Sequence, residues 1–338
     1  MGDPAGVGPE IVVKSLMDKS VYENSNPIVV GDAGVIQQAV NMLQLSCYVN
    51  AVSKVSDAKF AFGTIDVFNL DNFKGDLVHG KVSAEAGAAA FGSVVKVIEL
   101  AMCHQIDATV TAPINKEAIN LAGHYFAGHT EIYAHYTDTK KYAMLLVNGN
   151  LRIIHVSTHV SLRQACDLVK RERILDVIRL LNEACQQFGI LNPRIAVAGL
   201  NPHSSDNGLF GWEEEREIIP AIKEASKLGY DVQGPIPPDT LFSKAVGGMY
   251  DGCVAMYHDQ GHIPFKVVGF KWNEIKKRMD VEGVNITLGL PIIRVSVDHG
   301  TAFEVAGKGI ASEEAMSVSI DYAIKMTQTQ IYNDSCNS

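Results

Sequence analysis

Three histidines, His159, His203 and His258, each stand where an apolar run gives way to polar residues: LRIIHVSTH (151–159), PRIAVAGLNPH (193–203) and GCVAMYHDQ (252–260). Neutral imidazole is the commonest nitrogen ligand for a divalent ion. Three protein ligands leave a coordination position open for a substrate or water. A single histidine at a strand end is usually a packed structural residue, but three at equivalent places point to a shared site. His258 and His262 are four apart, yet Gly261 and Pro264 between and beyond them argue against a helix there. His262 is therefore not counted as a ligand. His155 precedes His159 by four within one run and reads as a packed strand residue.

These side chains need a scaffold that brings distant runs to one edge. Apolar runs of strand length alternate with longer amphipathic stretches along the chain. Further runs are PIVVGD (27–32), IDATVTAPI (106–114) and YAMLLVNG (142–149); helical patterns cover 84–104, 171–189 and 213–229. Strands alternating with helices imply βαβ units and largely parallel sheet. In open α/β sheets ligands bind beyond the carboxyl ends of the strands. Asn115, Lys116, His159, His203, His258 and Asp259 are thus expected along one such edge.

The totals exclude several classes. The 338 residues suffice for two ordinary domains or one large α/β unit. The net charge of −9 argues against a protein that binds nucleic acid through a basic face. No run of about 18 apolar residues is present, so no transmembrane helix and no membrane partner is expected. Six cysteines, at 47, 103, 166, 185, 253 and 336, form no CxxC pair and read as reduced thiols of a cytoplasmic protein. There is no GxSxG elbow for a hydrolase.

Other segments carry weaker signals. GDPAGVGPE (2–10) is a glycine turn with Pro9 as an expected first helical residue, a place where an anion can bind. It is neither GxGxxG nor a Walker loop. In AGHTEIYAHY (127–136), Thr130 either caps a helix or, with His129, touches substrate. Lys266, Asn285 and Arg294 stand close to apolar runs, and such cations suit carboxylate or phosphate. VNITLGLPIIRVSVDHGTAFEVAGKG (284–309) reads as strand and loop, with Asp298, His299 and Thr301 as a site wall or a hydrogen-bonded corner.

GDPAGVGPE, TAPINKEA, GHTE, STH, GLNPH, PPDT, MYHDQG, VNITLGLP and SVDHGTA occur in this order along nearly the whole chain. Together they resemble the 4-hydroxythreonine-4-phosphate dehydrogenase family of vitamin B6 (pyridoxine) synthesis. The resemblance implies an α/β fold of the isocitrate and isopropylmalate dehydrogenase kind, two α/β/α domains with a cleft between them. The first is expected over 1–128 plus 290–338. The second, over 129–289, would carry most metal and dimer contacts. It implies a homodimer with a shared active site and NAD, or NADP, bound without a Rossmann fingerprint.

Residue by residue, the resemblance makes His159, His203 and His258 ligands of a divalent metal, zinc first, with magnesium or cobalt as alternatives. It makes His129, Thr130, Lys266, Asn285 and Arg294 substrate contacts. Gly199 and Asn201 fall on the cofactor side. Asp239 and Lys266 are the catalytic candidates, with Asp239 or a hydroxide on the metal as proton acceptor. The reaction implied is oxidation of the C3 hydroxyl of a four-carbon 4-phosphorylated acid, followed by decarboxylation.

The chain departs from the family pattern in three places. No strand precedes GDPAG, so residues ahead of Met1 are expected in the natural chain. LNPHSSDNG has Ser-Ser-Asp where Ala-Gly-Glu is usual. A charged segment at 271–282 is longer than the family pattern and is expected as a short helix or flap. IHVSTH, GPIPPDT, YHDQGHIP and EAMSVSI look closer to a sister branch that acts on D-threonate or D-erythronate 4-phosphate in sugar-acid breakdown. Two rivals stand beside these: a cis-dihydrodiol dehydrogenase of the same superfamily, and a non-catalytic metabolite-binding protein of the same fold.

Overall fold

Apolar residues follow one another almost without interruption along strand runs such as AMLLVN and IAVA, and a pleated strand sends successive side chains to opposite faces. Both faces must then be covered, and the helical stretches between the runs do this. The computed structural model describes residues 1–274, 278–281 and 283–337. It divides into two compact units, Met1–Lys140 with Leu290–Thr327, and Lys141–Gly289 with Gln328–Ser338. Helix His129–Tyr136 falls in the first unit because Ile132 and Tyr133 are buried with Phe91, Val94, Ile98 and Ile119.

In the first unit, Thr64–Asn69 is the centre of a three-stranded parallel sheet, flanked by Val29–Gly31 and Tyr48–Val52. Ala108–Thr111 pairs in parallel with Ile293–Val297. The long helix Ala84–Met102 starts at Ser83, whose side chain accepts a hydrogen bond from the Ala86 N–H. Pro9 stands in the first turn of the helix Gly8–Ser15, as the glycine turn before it predicts.

In the second unit six strands of one sheet follow one another in the order Val284–Leu288, Ala143–Asn148, Leu151–His155, Gly252–Ala255, Ile195–Ala198, Val232–Ile236. The last four are mutually parallel. Val284–Leu288 and Leu151–His155 each pair antiparallel with Ala143–Asn148 between them, an antiparallel insertion in an otherwise largely parallel arrangement, as the alternation of strands and helices predicts. YAMLLVNGNLRIIHVSTH is a hairpin, turning at Gly149, whose φ is +54°. The two-residue loop Gly149-Asn150 is the legible signal for it. Cys253 packs with Leu241, Phe242 and Phe265 on one face. A Cβ on the preceding residue, Gly252, would meet Leu181 of the helix Arg171–Gln187 on the other. Helices therefore cover both faces, an α/β/α arrangement.

The helix His258–Gly269 is the largest local surprise, because it contains both Gly261 and Pro264. An interior proline costs about 3 kcal/mol, so packing must offset it. Phe265 is fully buried in the core, and Gly261 lies against the sheet. A Cβ on Gly261 would run into His155 Nε2 and come within 2.8 Å of Ile153 Cγ2. Alanine gains about 1 kcal/mol over glycine in a helix, but overpacking a tight core costs about 1–3 kcal/mol and backbone displacement more. Gly261→Ala is expected to lower stability by about 2 kcal/mol in spite of its helix propensity. A denaturant midpoint at or above that of the wild type would refute this account of the glycine.

Within the charged segment, Phe270–Asn273 pairs antiparallel with Arg278–Val281, a ladder rather than the expected short helix. Residues 275–277 and 282 lie outside the described residues. Cys47, Cys103, Cys166, Cys185 and Cys253 are free thiols. Among the described residues no helix is long and apolar enough to cross a membrane.

Candidate active site

Four neighbouring parallel strands of the second unit deliver most of the polar residues expected at a sheet edge. Leu151–His155 leads to His159, Gly252–Ala255 to His258, Ile195–Ala198 to His203, and Val232–Ile236 to Asp239. The strands run the same way, so all four loops leave one edge of the sheet. Asn115 and Lys116 belong to the first unit. They come after Ala108–Thr111 in the first unit, where Asn115 caps the helix Lys116–Leu121 by accepting from the Ala118 N–H at 2.9 Å.

The rings of His159 and His258 come together, with centroids 5.9 Å apart. The His203 ring instead lies near Phe210, at 6.4 Å. Among the described residues of one chain, no three His, Cys, Asp or Glu side chains form a group that could hold an ion. Two of the three candidate ligands are nonetheless prepared for one. His258 Nδ1 is 2.7 Å from Asp259 Oδ1, and His203 Nδ1 is 3.3 Å from Asp206 Oδ2. A carboxylate can only accept, so Nδ1 carries the proton and Nε2 presents its lone pair. A carboxylate behind a histidine in this way is the common support of a metal-binding imidazole.

His203 is held by an unusual turn. His203, Ser204, Ser205, Asp206 and Asn207 all have positive φ, between 44° and 73°. Each such L-residue costs roughly 1 kcal/mol. The turn lies close over Gly199, where a Cβ would come within 2.7 Å of Ser204 Oγ. Asn201 anchors the entry to it. Its Nδ2 donates to Glu213 Oε2 at 2.8 Å and Glu214 Oε2 at 2.9 Å, while Glu214 Oε1 accepts from the Leu200 and Asn201 N–H groups. The Asn201 amide and the Gly199 backbone thus shape this loop.

A loop over this segment would leave His262 without a defined relation to His258. In the helix it falls one turn after His258, and the two rings stack. His155 lies behind His262, with ring centroids 4.7 Å apart. His155 is a buried strand residue, as expected, 1% exposed. Burial, then the neighbouring His262, pulls its pKa from the ordinary 6.5 down to about 3. Unfolded, this imidazole binds a proton below about 6.5; folded, it refuses one until about 3. The unfolded state therefore binds more protons in that window, and stability rises with pH across it. The metal-free protein is expected to keep this contribution above pH 6.5 and to lose it, on the order of a few kcal/mol, as pH falls toward 3. Denaturant titrations at several pH values test this: His155→Leu should flatten the loss relative to wild type.

The first unit carries a buried cationic group of its own. Arg294 is 3% exposed, and its Nη2 donates to Thr111 Oγ1 at 3.1 Å. Its guanidinium lies 5.5 Å from the centre of the Tyr133 ring. Tyr133 is in turn fixed by its hydroxyl, which donates to Thr109 Oγ1 at 3.0 Å. Burial pulls Arg294 down to about 10, with Tyr133 and Glu131 opposing, so it stays charged at neutral pH. His129 opens the helix His129–Tyr136, and burial, then Arg294, holds its pKa well below 6.5. Its Nε2 is shielded and has no hydrogen-bond partner among the described residues. Thr130 does not cap this helix: Gly128 is the N-cap and Thr130 is buried. Tyr133 and Thr109 give no signal in the sequence, because nothing local ties an aromatic in a helix to an arginine on a distant strand.

The remaining candidates are more open. Lys266 is exposed in the last turn of its helix, its Nζ 5.1 Å from the Phe270 ring centre. Asn285 is half-buried on Val284–Leu288, in register with Leu146. Asp239 is exposed in the first turn of the helix Pro238–Val246. Thr301 belongs to a packed corner, where its carbonyl accepts from the Val7 N–H and Gly6 approaches its side chain.

Residues 23–323 match the model of the pyridoxal phosphate biosynthetic protein PdxA family. The chain belongs to that family. A relative from Oceanobacillus iheyensis, provisionally named a D-threonate 4-phosphate dehydrogenase, is 48% identical over 334 residues, 98% of this chain and 97% of its own. The D-threonate 4-phosphate dehydrogenase of Salmonella typhimurium is 45% identical over 96% of this chain and 97% of its own. The crystal structure of 4-hydroxythreonine-4-phosphate dehydrogenase from Klebsiella pneumoniae superposes with a TM-score of 0.84 at 43% identity, over 97% of this chain and 96% of that one. The PdxA family fold is related to that of the isocitrate and isopropylmalate dehydrogenases, and this chain is an oxidoreductase of the family.

Proposed function

We propose that the protein is an NAD-dependent, divalent-metal-dependent dehydrogenase. It oxidises the C3 hydroxyl of a four-carbon 4-phosphorylated acid, and the β-keto acid so formed loses CO₂. The observation that carries this reading is the delivery of His159, His203 and His258 to one sheet edge by three adjacent parallel strands. The support of His258 and His203 by carboxylates favours a metal, and an all-imidazole set suits zinc or cobalt over magnesium. We assign completion of the ligand set to a second copy, since the resemblance implies a homodimer with a shared site.

When bound, the metal and the nicotinamide would supply polarisation of the alcohol oxygen and a hydride acceptor. The chain's own residues do the rest. Arg294 and Lys266 fix anionic ends of the substrate, and Asn285 and Thr130 add neutral hydrogen bonds. Fixing the remote ends orients the reacting carbon. His129, neutral at physiological pH, offers Nε2 to a substrate oxygen. Asp239 takes the C3 hydroxyl proton. Gly199 and Asn201 shape the loop on the cofactor side. The protein works in the cytoplasm, and its partners are the small substrate and its own second copy.

Within this reading D-threonate or D-erythronate 4-phosphate is the favoured substrate, supported by the names of the relatives at 48% and 45% identity. The second reading, 4-phosphohydroxy-L-threonine, is supported by the name of the Klebsiella neighbour. NADH formation from each of the three substrates, with and without chelator, separates them. Turnover of the sugar-acid phosphates alone places the enzyme outside vitamin B6 synthesis. Activity on none of the three, in protein that binds zinc, would sink the reading in favour of another substrate or of a binding protein.

A further inference from the structure

His258 and His262 stand one turn apart at the start of the helix His258–Gly269. Their rings are stacked, with centroids 3.7 Å apart and planes within 11°. His262 Nδ1 donates to the His258 carbonyl at 3.0 Å, which sets the orientation of its own ring. His262 is 7% exposed, and His155 backs it at 4.7 Å. Gly261 lets the helix lie close enough to the sheet for this, as the collision of a Cβ there with His155 indicates.

His258 is thus restrained in two ways. Its Nδ1 is bonded to Asp259, but the Asp259 side chain is 70% exposed and open to water. The other restraint is the flat, buried face of His262. A hydrogen bond at Nδ1 fixes the tautomer; a ring packed against the imidazole fixes its plane. Together these set the direction in which Nε2 points.

We propose that His262 is a positioning residue, whose stacked ring fixes the plane of the His258 imidazole and so aims Nε2 at the metal. His262 itself contacts neither ion nor substrate. The inference rests on the reading of His258 as a ligand, and the experiment separates the two. Metal-free protein is titrated with zinc ion against a chromophoric chelator for wild type, His262→Ala, His262→Phe and His258→Ala. Residues that orient a ligand are worth about 10- to 100-fold in metal affinity. His262→Ala should weaken zinc binding by that factor, and His262→Phe, which keeps a flat ring, should stay within about threefold of wild type. At saturating zinc, His262→Ala should lower kcat and leave the substrate KM unchanged. Should the alanine variant fail to fold, His262→Leu fills the space without a flat ring and carries the same expectation. Wild-type zinc affinity in the alanine or leucine variant, with binding lost in His258→Ala, overturns the role of His262. Wild-type affinity in His258→Ala overturns the ligand reading instead.

Discussion

His258→Ala is expected to lower kcat/KM by about 10³-fold or more, or about 4 kcal/mol of transition-state stabilisation. The helix should survive the change. His258 is its first residue and its side chain is 38% exposed, so little packing is lost. The sharper form of the test uses non-additivity. Chelation should cost the wild type as much as the substitution does, and should cost His258→Ala nothing more, because both remove one unit of function. His159→Ala and His203→Ala should behave alike. If chelator still slows His258→Ala as much as it slows wild type, the ion binds elsewhere and His258 has another role.

Arg294→Met should separate binding from stability. The guanidinium is buried and charged, and burial pulls its pKa from 12.5 to about 10. That shift corresponds to about a few kcal/mol of desolvation retained in the fold. Methionine is of similar length and carries no charge, and replacing a buried ionic group with a well-packed apolar one is often neutral or stabilising by about 1–4 kcal/mol. The Thr111 hydroxyl loses a donor but still reaches the Val295 carbonyl, at 3.5 Å. Glu131, whose charge attracts Arg294, loses that support, so the thermal midpoint of the substrate-free protein should change little. On the proposed role of Arg294 a charged hydrogen bond to a phosphate or carboxylate is lost, so KM for the phosphorylated acid should rise about 100-fold, near 3 kcal/mol. Initial-rate kinetics and thermal unfolding on one preparation check both halves. A large drop in stability with an unchanged KM would make Arg294 a structural residue and remove it from the site.

These two residues also mark how far a chain of letters can be read. The strand ends were legible. LRIIHVSTH, PRIAVAGLNPH and GCVAMYHDQ are apolar runs that stop on histidine. Backbone pairing forces such runs into a sheet, and the polar residues after each strand gather at its carboxyl edge. Local turn chemistry is also legible where one residue decides it, as at Pro9 and in the Gly149-Asn150 loop. The burial of His155 follows from its place in a strand.

The rest was settled by contacts between residues far apart in the chain. Gly261 and Pro264 argue locally against a helix, yet the helix forms because Phe265 and the close approach to His155 outweigh their propensities. The stacking of His262 on His258 exists only because of that helix. The aromatic face under Arg294 comes from another element altogether, Tyr133 of a helix, held by Thr109 on the strand paired with that of Arg294. The sequence by itself determined which side chains an α/β sheet would carry to its edge, because hydrophobic period and strand termination are local properties. Which neighbours orient them follows from the three-dimensional packing alone, because packing is a property of surfaces that meet across hundreds of residues.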